Sequence, residues 1–539
     1  MTIKANYVDI ENRQIFAAEV KIEGRKIVAV TAIDEVVEDY ILPGFIDAHI
    51  HIESSMVLPA EFAKVAVLHG TVGTVSDPHE IANIMGIDGV NYMIENSKTV
   101  PFNFFFGAPS CVPATSFETA GASIDAAGIE ELMQSKDIWY LAEVMNYPAV
   151  IHRDAEMMQK VRAAHHVNKP VDGHAPSVTG SDLQQYISAG ISTDHECVTY
   201  HEGLEKLKSG MKVIIREGSA AKNFDALIPL LNLFPKQIMF CSDDKHPDDL
   251  LLGHINQLVL RAINQGHDLY DVLHAACVLP IKHYQLPVGQ LKVNDDADFI
   301  VINNLKEFKV KQTFIKGNCV AQNQISHIQT KPFHIINQFN CKAITAKQLE
   351  LKASNNKIKI IETFNRQLIT ACIVDTVPIV DGILTTNSTK DILKIVVVNR
   401  YFDAPPSVAF IKNFGLKEGA IASCIAHDSH NIVAVGVDDE SLAQAINLII
   451  DSKGGISVAH QHGKDVLPLP VAGIMSNQAV DKVAEGYQSL HNKAKELGCQ
   501  LDAPFMSLSF MALLVIPALK LSDKGLFDGV SFKLTNLHQ

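Results

Sequence analysis

The apolar segment from Ile41 to Ser55 carries two histidines, His49 and His51, separated by a single residue. Side chains at positions i and i+2 of a β-strand point to the same face. The segment therefore predicts a strand whose end presents two imidazoles side by side, where one divalent metal could bind both. Taken alone, the same pattern also fits a strand with two unrelated histidines, one buried and one at the surface.

Strand and helix patterns alternate from this segment to about residue 284. The predicted strands after the first are Gly70–Ser76, Phe102–Phe106, Trp139–Met145, Pro170–Gly173, Ile191–Thr193, Lys212–Ile215 and Gln237–Cys241. Predicted helices between them include Pro59–His69, Asp154–His166, Ser181–Ala189 and Asp248–Gln265. Eight strand–helix units over roughly 250 residues have the size and order of a (β/α)₈ barrel.

The chain of 539 residues is too long for a single core, so we expect several domains. Alternating segments at both flanks of the barrel predict one small β-domain built from residues 1–40 and 285–333, around a catalytic barrel at 41–284. Residues 334–539 predict a C-terminal α+β domain, with strands at Lys357–Ile361, Ile395–Val398 and Asn431–Val437 and helices at Ser441–Asp451 and Ala479–Leu497. The fold class is α/β, a TIM-like (β/α)₈ barrel flanked by a small composite β-domain and followed by a C-terminal α+β domain.

The net charge and the cysteines restrict the partners and the cellular compartment that we expect. A formal net charge of −14 argues against a nucleic-acid polymer, because phosphate binding requires a basic face. Nine cysteines without a CxxC pair indicate reduced thiols and a cytoplasmic protein. The chain has no signal-peptide pattern and no apolar run of about 20 residues, so no membrane partner is expected.

Metal-ligand side chains follow several predicted strands, at the end where such a barrel builds its active site. They lie in Ser76–Glu80, Glu143, Asp172–Pro176, Thr193–Glu196 and Cys241–His246. Each has an ordinary alternative: Asp77 before Pro78 could cap a helix, and the histidines could be loop residues. Because ligand-type residues recur at the same end of several predicted strands, a common site is favoured.

The predicted metal ligands are His49, His51, Glu143, His174, His195 and Asp243. Nitrogen and oxygen donors without thiolate favour zinc, iron or manganese. Six ligands exceed the need of one catalytic ion and suit two ions that share a carboxylate and generate hydroxide. Asp243 would then orient the hydroxide and transfer its proton.

Several longer motifs extend this pattern over nearly the whole chain. They are Pro43–Met56, Asp77–Asn83, Asp172–Pro176, Arg216–Ser219, Cys241–Pro247 and Pro504–Phe510. With them the chain resembles the amidohydrolase superfamily and, more closely, the bacterial adenine deaminase family. The HxH element is common to many amidohydrolases, whereas the second and fifth motifs are the specific ones.

The resemblance implies hydrolysis of adenine to hypoxanthine and ammonia, with hydroxide from two metal ions attacking C6, as part of purine salvage. It implies that Glu143 bridges the ions directly, where many relatives use a carboxylated lysine. Mn²⁺ or Fe²⁺ is expected first, with Zn²⁺ as an alternative. Asp77 is a further expected catalytic residue, and Glu196 or Asp77 is expected to protonate a ring nitrogen or hold the amine.

Further candidates for substrate contact are Glu53, Ser54, Arg216 and Ser219, while His79 and His246 are candidates for extra or supporting ligands. The alternative enzyme is a binuclear amidohydrolase acting on another aminated heterocycle or a cyclic amide. The non-enzymatic alternative is a metal-binding barrel without turnover.

The expected partner is a small purine base, and we expect a homo-oligomer, with a dimer first. In the C-terminal domain, Ala426–His430 is interpreted either as a chemical element or as a polar turn between strands. That domain is expected either to close over the barrel mouth or to form a subunit interface.

Overall fold

The N-terminal strands form a ribbon of mostly antiparallel strands in the computed structural model, which describes residues 1–219 and 221–539. They are β1 (Thr2–Asp9), β2 (Gln14–Glu23), β3 (Lys26–Ala32) and β4 (Tyr40–Pro43). Strand β1 pairs antiparallel with β2 and parallel with β4. In β2, Val20 and Ile22 are buried while Lys21 and Glu23 are exposed, so the alternating sequence directs one face of the ribbon into a core.

Eight parallel strands follow and form the barrel. They are β5 (Phe45–Ile50), β6 (Thr71–Ser76), β7 (Asn103–Ala108), β8 (Ile138–Val144), β9 (Val171–Gly173), β10 (Thr193–Asp194), β11 (Lys212–Arg216) and β12 (Ile238–Cys241). Successive strands pair in parallel, and the backbone N–H of Ser192 donates to Val171 O (3.1 Å) between β9 and β10. The barrel closes where Asp243 N, just after β12, donates to His49 O in β5 (3.0 Å). The predicted barrel and its eight strands are confirmed.

The junction between β4 and β5 requires a glycine. A Cβ at Gly44 would lie 2.3 Å from Val72 Cγ1, so any larger residue would push β5 away from β6. This close approach explains the Pro-Gly break immediately before the strand that carries His49 and His51.

Helices connect the barrel strands on the outside. They are α1 (Pro59–Ala66), α2 (His79–Met85), α3 (Ile87–Ser97), α4 (Ala126–Gln134), α5 (Tyr147–Ile151), α6 (Ala155–His166), α7 (Gly180–Ser188), α8 (Tyr200–Lys208), α9 (Phe224–Leu227), α10 (Pro247–Leu252), α11 (Ile255–Asn264), α12 (Leu269–Leu273) and α13 (Leu279–Tyr284). Helix α6 begins where the Asp154 side chain accepts from Met157 N (2.9 Å), an ordinary N-cap. Three of the four helices named from the sequence are confirmed.

The fourth, predicted as one helix over Asp248–Gln265, was wrong because the structure has two, α10 and α11. The chain is extended at Gly253, and His254 is fully buried. His254 Nε2 lies 2.8 Å from the Asp47 carboxylate in β5, and its Nδ1 lies 2.7 Å from Thr71 Oγ1 in β6. The interruption lets this imidazole hydrogen-bond to Thr71 and lie against the carboxylate of Asp47.

Four strands after the barrel complete the sheet that the N-terminal ribbon begins. They are β13 (Phe299–Ile302), β14 (Val310–Ile315), β15 (Asn318–Gln322) and β16 (Ile325–Ser326). Strand β13 pairs antiparallel with β4, giving the order β16-β15-β14-β13-β4-β1-β2-β3. Both flanks of the barrel thus belong to one sheet; the domain boundaries at residues 40, 285 and 334 stay a prediction.

The C-terminal region contains a second eight-stranded sheet and two three-stranded sheets. Its strands are β17 (Leu351–Lys352), β18 (Lys357–Thr363), β19 (Thr370–Thr376), β20 (Ile379–Val380), β21 (Ile383–Leu384), β22 (Ile392–Val398), β23 (Ser407–Lys412), β24 (Ala420–Ser423), β25 (Ile432–Gly436), β26 (Gly455–His460), β27 (Gly463–Pro468), β28 (Leu519–Ser522), β29 (Gly525–Asp528) and β30 (Lys533–Leu534). The large sheet has the order β19-β18-β23-β22-β25-β24-β26-β27. The predicted strands are confirmed as β18, β22 and β25.

Three helices accompany this sheet: α14 (Asp439–Ser452), α15 (Val480–Glu496) and α16 (Pro504–Ser509). Helix α14 packs Leu442, Ile446 and Ile449 on the sheet, in one apolar core with Val396 and Ala434. The predicted helices Ser441–Asp451 and Ala479–Leu497 are confirmed as α14 and α15. Within the described residues, no helix is both long and apolar enough to span a bilayer.

The C-terminal domain lies over the mouth of the barrel. The turn between β24 and β25 and the segment after α16 reach the pocket at the carboxyl ends of the barrel strands. Asn431 in this turn donates to Thr119 O (2.9 Å) in the connection after β7. Closure over the mouth, one of the two expected roles of the domain, is therefore observed.

Candidate active site

The six predicted metal ligands come together at the mouth of the barrel. They are His49 and His51 from β5, Glu143 in β8, His174 after β9, His195 after β10 and Asp243 after β12. All six side chains are buried. Because parallel strands end on the same side, closure of the barrel places residues up to 194 positions apart in sequence in mutual contact.

Glu143 occupies the centre of this group. Its Oε2 lies 2.7 Å from His174 Nδ1 and 3.0 Å from His195 Nε2. Its Oε1 lies 3.5 Å from His51 Nε2. One carboxylate thus faces histidines from both sides, the arrangement that a bridging ligand requires.

Asp243 faces the two histidines of β5. Its Oδ1 lies 3.2 Å from His51 Nε2 and 3.6 Å from His49 Nε2, and its Oδ2 accepts from Arg216 Nη1 at 2.6 Å. The residue has a φ of 53°, in the left-handed region that non-glycine residues seldom occupy. A strained backbone at a residue of this kind is typical of functional sites.

The donor atoms of the cluster fit divalent cations. Several groups of three or four donors lie within 4.8 Å of one another, including Glu143, His174 and His195 together, and His49, His195 and Asp243 together. Four buried donor atoms have no hydrogen-bond partner among the described residues: His49 Nδ1, Asp77 Oδ2, His79 Nδ1 and His174 Nε2. Unpaired buried polar atoms are costly, and metal coordination is one way to satisfy them.

Burial and neighbouring charges set the protonation of the cluster. Burial raises the pKa of Glu143, but its contacts with His174 and His195 outweigh this effect and hold the pKa well below its usual range. Burial likewise raises the pKa of Asp243, and the charge of Arg216 brings it well below the usual range. Burial lowers the pKa of His49, so its imidazole is neutral, the form that binds metals.

Asp77 and His79 lie directly beside the predicted ligands. Asp77 accepts from His79 N at 3.1 Å, and its Oδ2 lies 3.2 Å from His79 Nδ1. The same His79 nitrogen lies 3.3 Å from Glu143 Oε1, and His51 Nδ1 lies 3.1 Å from Asp77 O. The side chain of His79 lines the pocket, whereas Asp77 lies behind it. Both are therefore placed at the cluster, as the sequence predicts.

Arg216 and Glu196 form a buried ion pair on one wall of the pocket. Arg216 Nη2 donates to Glu196 Oε2 at 3.0 Å, while Nη1 contacts both Glu196 and Asp243. Both residues line the pocket, as expected of candidates for substrate contact. Arg216 thus links Asp243, which is predicted to transfer protons, to Glu196, which is predicted to contact the substrate.

Three other predicted substrate contacts lie outside the pocket lining. Glu53 Oε1 accepts from Ile81 N (3.2 Å), Ser54 Oγ donates to Asp244 Oδ1 (2.5 Å), and Ser219 Oγ donates to Asp249 Oδ2 (2.6 Å). These bonds occupy the side chains in support of neighbouring segments. The geometry gives no support to direct contact with substrate, which stays an untested prediction for these three residues.

His246, a candidate extra or supporting ligand, is also placed elsewhere. Its ring packs edge-on against Tyr487 of α15, with centroids 4.6 Å apart. This contact joins the barrel to the C-terminal domain and leaves the imidazole outside the ligand groups described above.

A second group of polar residues, which the sequence did not identify as one site, faces the ligands across the pocket. Glu80, in the first turn of α2, pairs with His427 Nδ1 through one oxygen and with His430 Nε2 through the other. Burial raises the pKa of Glu80, but the charges of His427 and His79 bring it well below its usual range. Asp428 lies beside His427 in the pocket lining.

The Ala426–His430 segment is accordingly both a turn between two strands and part of the site. Burial lowers the pKa of His427, but Glu80 and Asp244 outweigh it and raise the pKa to about 9. The sequence signal was the density of polar residues in this segment; its partner Glu80 lies about 350 positions away.

Apolar side chains close the pocket on the side away from the predicted metal ligands. They are Met145, Leu368, Phe510, Leu513, Val515 and Ile516. The ring of Phe510 stacks on that of His427, with centroids 4.7 Å apart and planes 10° from parallel. The pocket thus has the polar ligand cluster on one side and apolar, partly aromatic side chains on the other, which limit the access of water.

Two family models match the chain. The model of the amidohydrolase family matches residues 40–320, and that of the adenine deaminase C-terminal domain matches residues 367–533. Among curated proteins, the adenine deaminase of Salinibacter ruber is 50% identical over 537 residues, covering 99% of this chain and 98% of that protein. The adenine deaminase of a Sulfurovum species is 53% identical over 533 residues, with 99% and 98% covered.

Solved structures with distant similarity include two hydrolases. The β-aspartyl dipeptidase of Fervidobacterium islandicum is 14% identical, with a TM-score of 0.47 over 62% of this chain and all of that one. The N-acetyl-D-glucosamine-6-phosphate deacetylase of Mycobacterium smegmatis is 13% identical, with a TM-score of 0.47 over 60% of this chain and all of that one.

Proposed function

The chain belongs to the adenine deaminase family of the amidohydrolases, and on that premise we propose that it deaminates adenine at a binuclear metal centre. The reaction consumes adenine and water and yields hypoxanthine and ammonia. The proposal of two metal ions is supported by the position of Glu143. Its two carboxylate oxygens face histidines on opposite sides of the cluster.

The residues proposed to hold the ions are His49, His51, Glu143, His174, His195 and Asp243. Two divalent ions bound there would supply hydroxide at neutral pH and polarise the purine at C6. Nitrogen and oxygen donors without thiolate suit Mn²⁺ or Fe²⁺, which we propose first, and Zn²⁺ as the alternative. His79, with an unpartnered Nδ1 beside Glu143, is a supporting residue at the same cluster.

Asp243 is proposed to take the proton from the attacking water and to pass it to the departing amine. Its Oδ1 faces the histidines of β5, where the water would be activated, and its Oδ2 is held by Arg216. The hydrogen bond from Arg216 fixes the orientation of the carboxylate, which general-base catalysis depends on. Ammonia leaves more readily than the amide anion because it departs already protonated.

Glu196 is the better placed of the two candidates for the ring nitrogen or the exocyclic amine. It lines the pocket, whereas the carboxylate of Asp77 is turned toward His79 behind the lining. We therefore propose that Glu196 contacts the purine and that Asp77 orients His79 and, through its carbonyl, His51.

Release of ammonia from adenine by the metal-loaded protein tests the proposed function, with hypoxanthine quantified by its ultraviolet absorbance. Guanine and dihydroorotate serve as competing substrates for the alternative amidohydrolase activities. Turnover of adenine with little action on the other two is the expected result. A metal-loaded protein that hydrolyses dihydroorotate or deaminates guanine, and leaves adenine unchanged, would contradict the substrate assignment.

We propose that this reaction serves purine salvage, since it acts on a free nucleobase, and that it takes place in the cytoplasm. We also propose a closed homo-oligomer, a dimer first, because soluble enzymes most often assemble with closed symmetry. Light scattering coupled to gel filtration measures the mass directly, and a monomer at micromolar concentration would contradict this part.

A further inference from the structure

Asp428 is a carboxylate of the pocket with one oxygen, Oδ2, that lacks a hydrogen-bond partner among the described residues. Glu80, Glu143, Glu196 and Asp243 each contact one or more cationic or imidazole groups. By contrast, Asp428 Oδ2 is buried and has no hydrogen-bond partner among the described residues, and its side chain is 4% exposed. A buried acceptor left unpaired costs free energy unless a ligand supplies the donor.

The position of Asp428 is fixed by its neighbours. On one side His427 binds Glu80 of α2, and on the other the carbonyl of Ser429 accepts from Tyr401 Oη at 2.5 Å. The turn is further tied to the barrel by the bond from Asn431 to Thr119 O. Asp428 is therefore held in the pocket by contacts that do not involve its own carboxylate.

Asp428 lies on the opposite side of the His79 ring from the predicted metal ligand Glu143. One nitrogen of His79 is 3.3 Å from Glu143 Oε1, while the other is 3.7 Å from Asp428 Oδ1. Asp428 is thus separated from the ligand cluster by one imidazole ring. A flat bicyclic base with one ring at the cluster would extend its second ring in this direction, along the stacked rings of His427 and Phe510.

Adenine has two kinds of N–H donor: the amine on C6 and the N–H of its five-membered ring. The amine is the group that departs, so it must lie at the ligand cluster. We propose that Asp428 accepts the N–H of the five-membered ring and thereby selects free purine bases over nucleosides, in which N9 carries a sugar. This inference rests on the proposed function and adds a specificity-determining residue from the C-terminal domain.

The test compares Asp428→Asn with the wild type in binding hypoxanthine and 9-methylhypoxanthine, measured by calorimetry on metal-loaded protein. Loss of a hydrogen bond to a charged group is expected to weaken hypoxanthine binding about 10- to 100-fold. Affinity for the methylated base, which lacks the N–H, should change less than about threefold on the same grounds. Asp403→Asn, an exposed aspartate of the same domain, is the matched control and should bind both as the wild type does.

A second variant, Asp428→Ala, removes the carboxylate and opens space beside N9. It is expected to bind 9-methylhypoxanthine more tightly than the wild type does. Unchanged hypoxanthine affinity, equal losses for both bases, or a loss of bound metal would each overturn the proposal; the last would make Asp428 a metal ligand.

Failure of this inference is distinguishable from failure of the proposed function. Binding is measured without turnover, so wild-type protein that releases no ammonia from adenine contradicts only the deaminase assignment. A variant at position 428 that binds hypoxanthine as tightly as the wild type contradicts only the role of Asp428.

Discussion

Glu143 contacts imidazoles from three different strands, and no other carboxylate of the described chain has this position at the cluster. A direct carboxylate bridge needs the carboxyl group to be ionised, and the pKa of Glu143, held well below its usual range by His174 and His195, meets that condition. At the scale of single residues, the metal hypothesis therefore depends on Glu143 more than on any one histidine.

Replacing Glu143 by glutamine is expected to reduce bound metal from two ions per chain to one or fewer. The amide keeps the shape of the side chain but loses the charge that two cations would share. Even residues that only support a ligand cost about 10- to 100-fold in metal affinity when mutated. Metal content by mass spectrometry of the purified protein measures the effect. Glu156→Gln, an exposed glutamate of α6, is the control; retention of two ions by Glu143→Gln would remove the bridging role.

Replacing Asp243 by asparagine is expected to lower the rate of deamination by about 10²- to 10⁴-fold, the usual contribution of a general acid–base residue. The amide cannot accept the proton of the attacking water. Because Asp243 also faces the metal ligands, metal content must be measured on the same samples. A variant that retains its metal and deaminates at the wild-type rate would exclude the proton transfer proposed for Asp243.

At the scale of elements, strand β28 carries one buried lysine that holds two segments of the pocket wall in place. Lys520 Nζ donates to Leu368 O (2.7 Å) and to Phe510 O (2.9 Å), and both of these residues line the pocket. Lys520 is fully buried and bonds carbonyls only, and burial lowers its pKa to about 7. Lys520 therefore holds this part of the pocket wall as an amine that the folded protein favours in its neutral form.

The stability of the wild type relative to Lys520→Met is expected to rise between pH 7 and about pH 10. Lysine in the unfolded chain has a pKa near 10.5. Across this window the unfolded state binds a proton that the folded state does not, so raising the pH disfavours unfolding. Each unit of the shift is worth about 1.4 kcal/mol, and methionine, which does not titrate, serves as the reference. Melting temperatures across this range measure the difference.

The matched control for this experiment is Lys533→Met, an exposed lysine of β30. It removes one lysine charge at the surface, and its difference from the wild type, measured over the same pH range, is the reference for Lys520→Met. A difference for Lys520→Met that stays flat, or that falls as the pH rises, would contradict a lowered pKa for the buried lysine.

The elements themselves were largely predictable from the sequence, for a physical reason. The barrel strands are short and rich in apolar residues, and several of them are followed by ligand-type side chains, so β-propensity and the chemistry of the strand ends point to the same segments. The exception was the helix interrupted at Gly253 and His254. Helical spacing of apolar residues continues across this point, and only the contacts of His254 with Asp47 and Thr71, 207 and 183 positions earlier, explain the break.

At the scale of the whole molecule, the site is formed by the barrel and by the C-terminal domain. Local sequence patterns do not predict that these two parts of the chain meet. The six metal-ligand candidates share one barrel, and the rule that barrel strands end at a common face brought them together. Glu80 and His430 obey no such rule, since they are 350 positions apart and belong to different domains. Their pairing depends on how the C-terminal sheet packs over the barrel, which only the folded structure reveals.

Removal of metal should therefore affect the stability of the whole molecule as well as its activity. Chelation leaves several buried imidazoles and carboxylates without partners, among them His49 Nδ1 and His174 Nε2. At free metal 100 to 1,000 times the Kd, binding to the folded state contributes about 3 to 4 kcal/mol. The metal-free protein should melt several degrees lower, and Mn²⁺ or Fe²⁺ should restore both the melting temperature and adenine turnover. Mg²⁺, which prefers oxygen ligands, is the control ion; equal melting temperatures with and without Mn²⁺ would contradict a metal centre built from these residues.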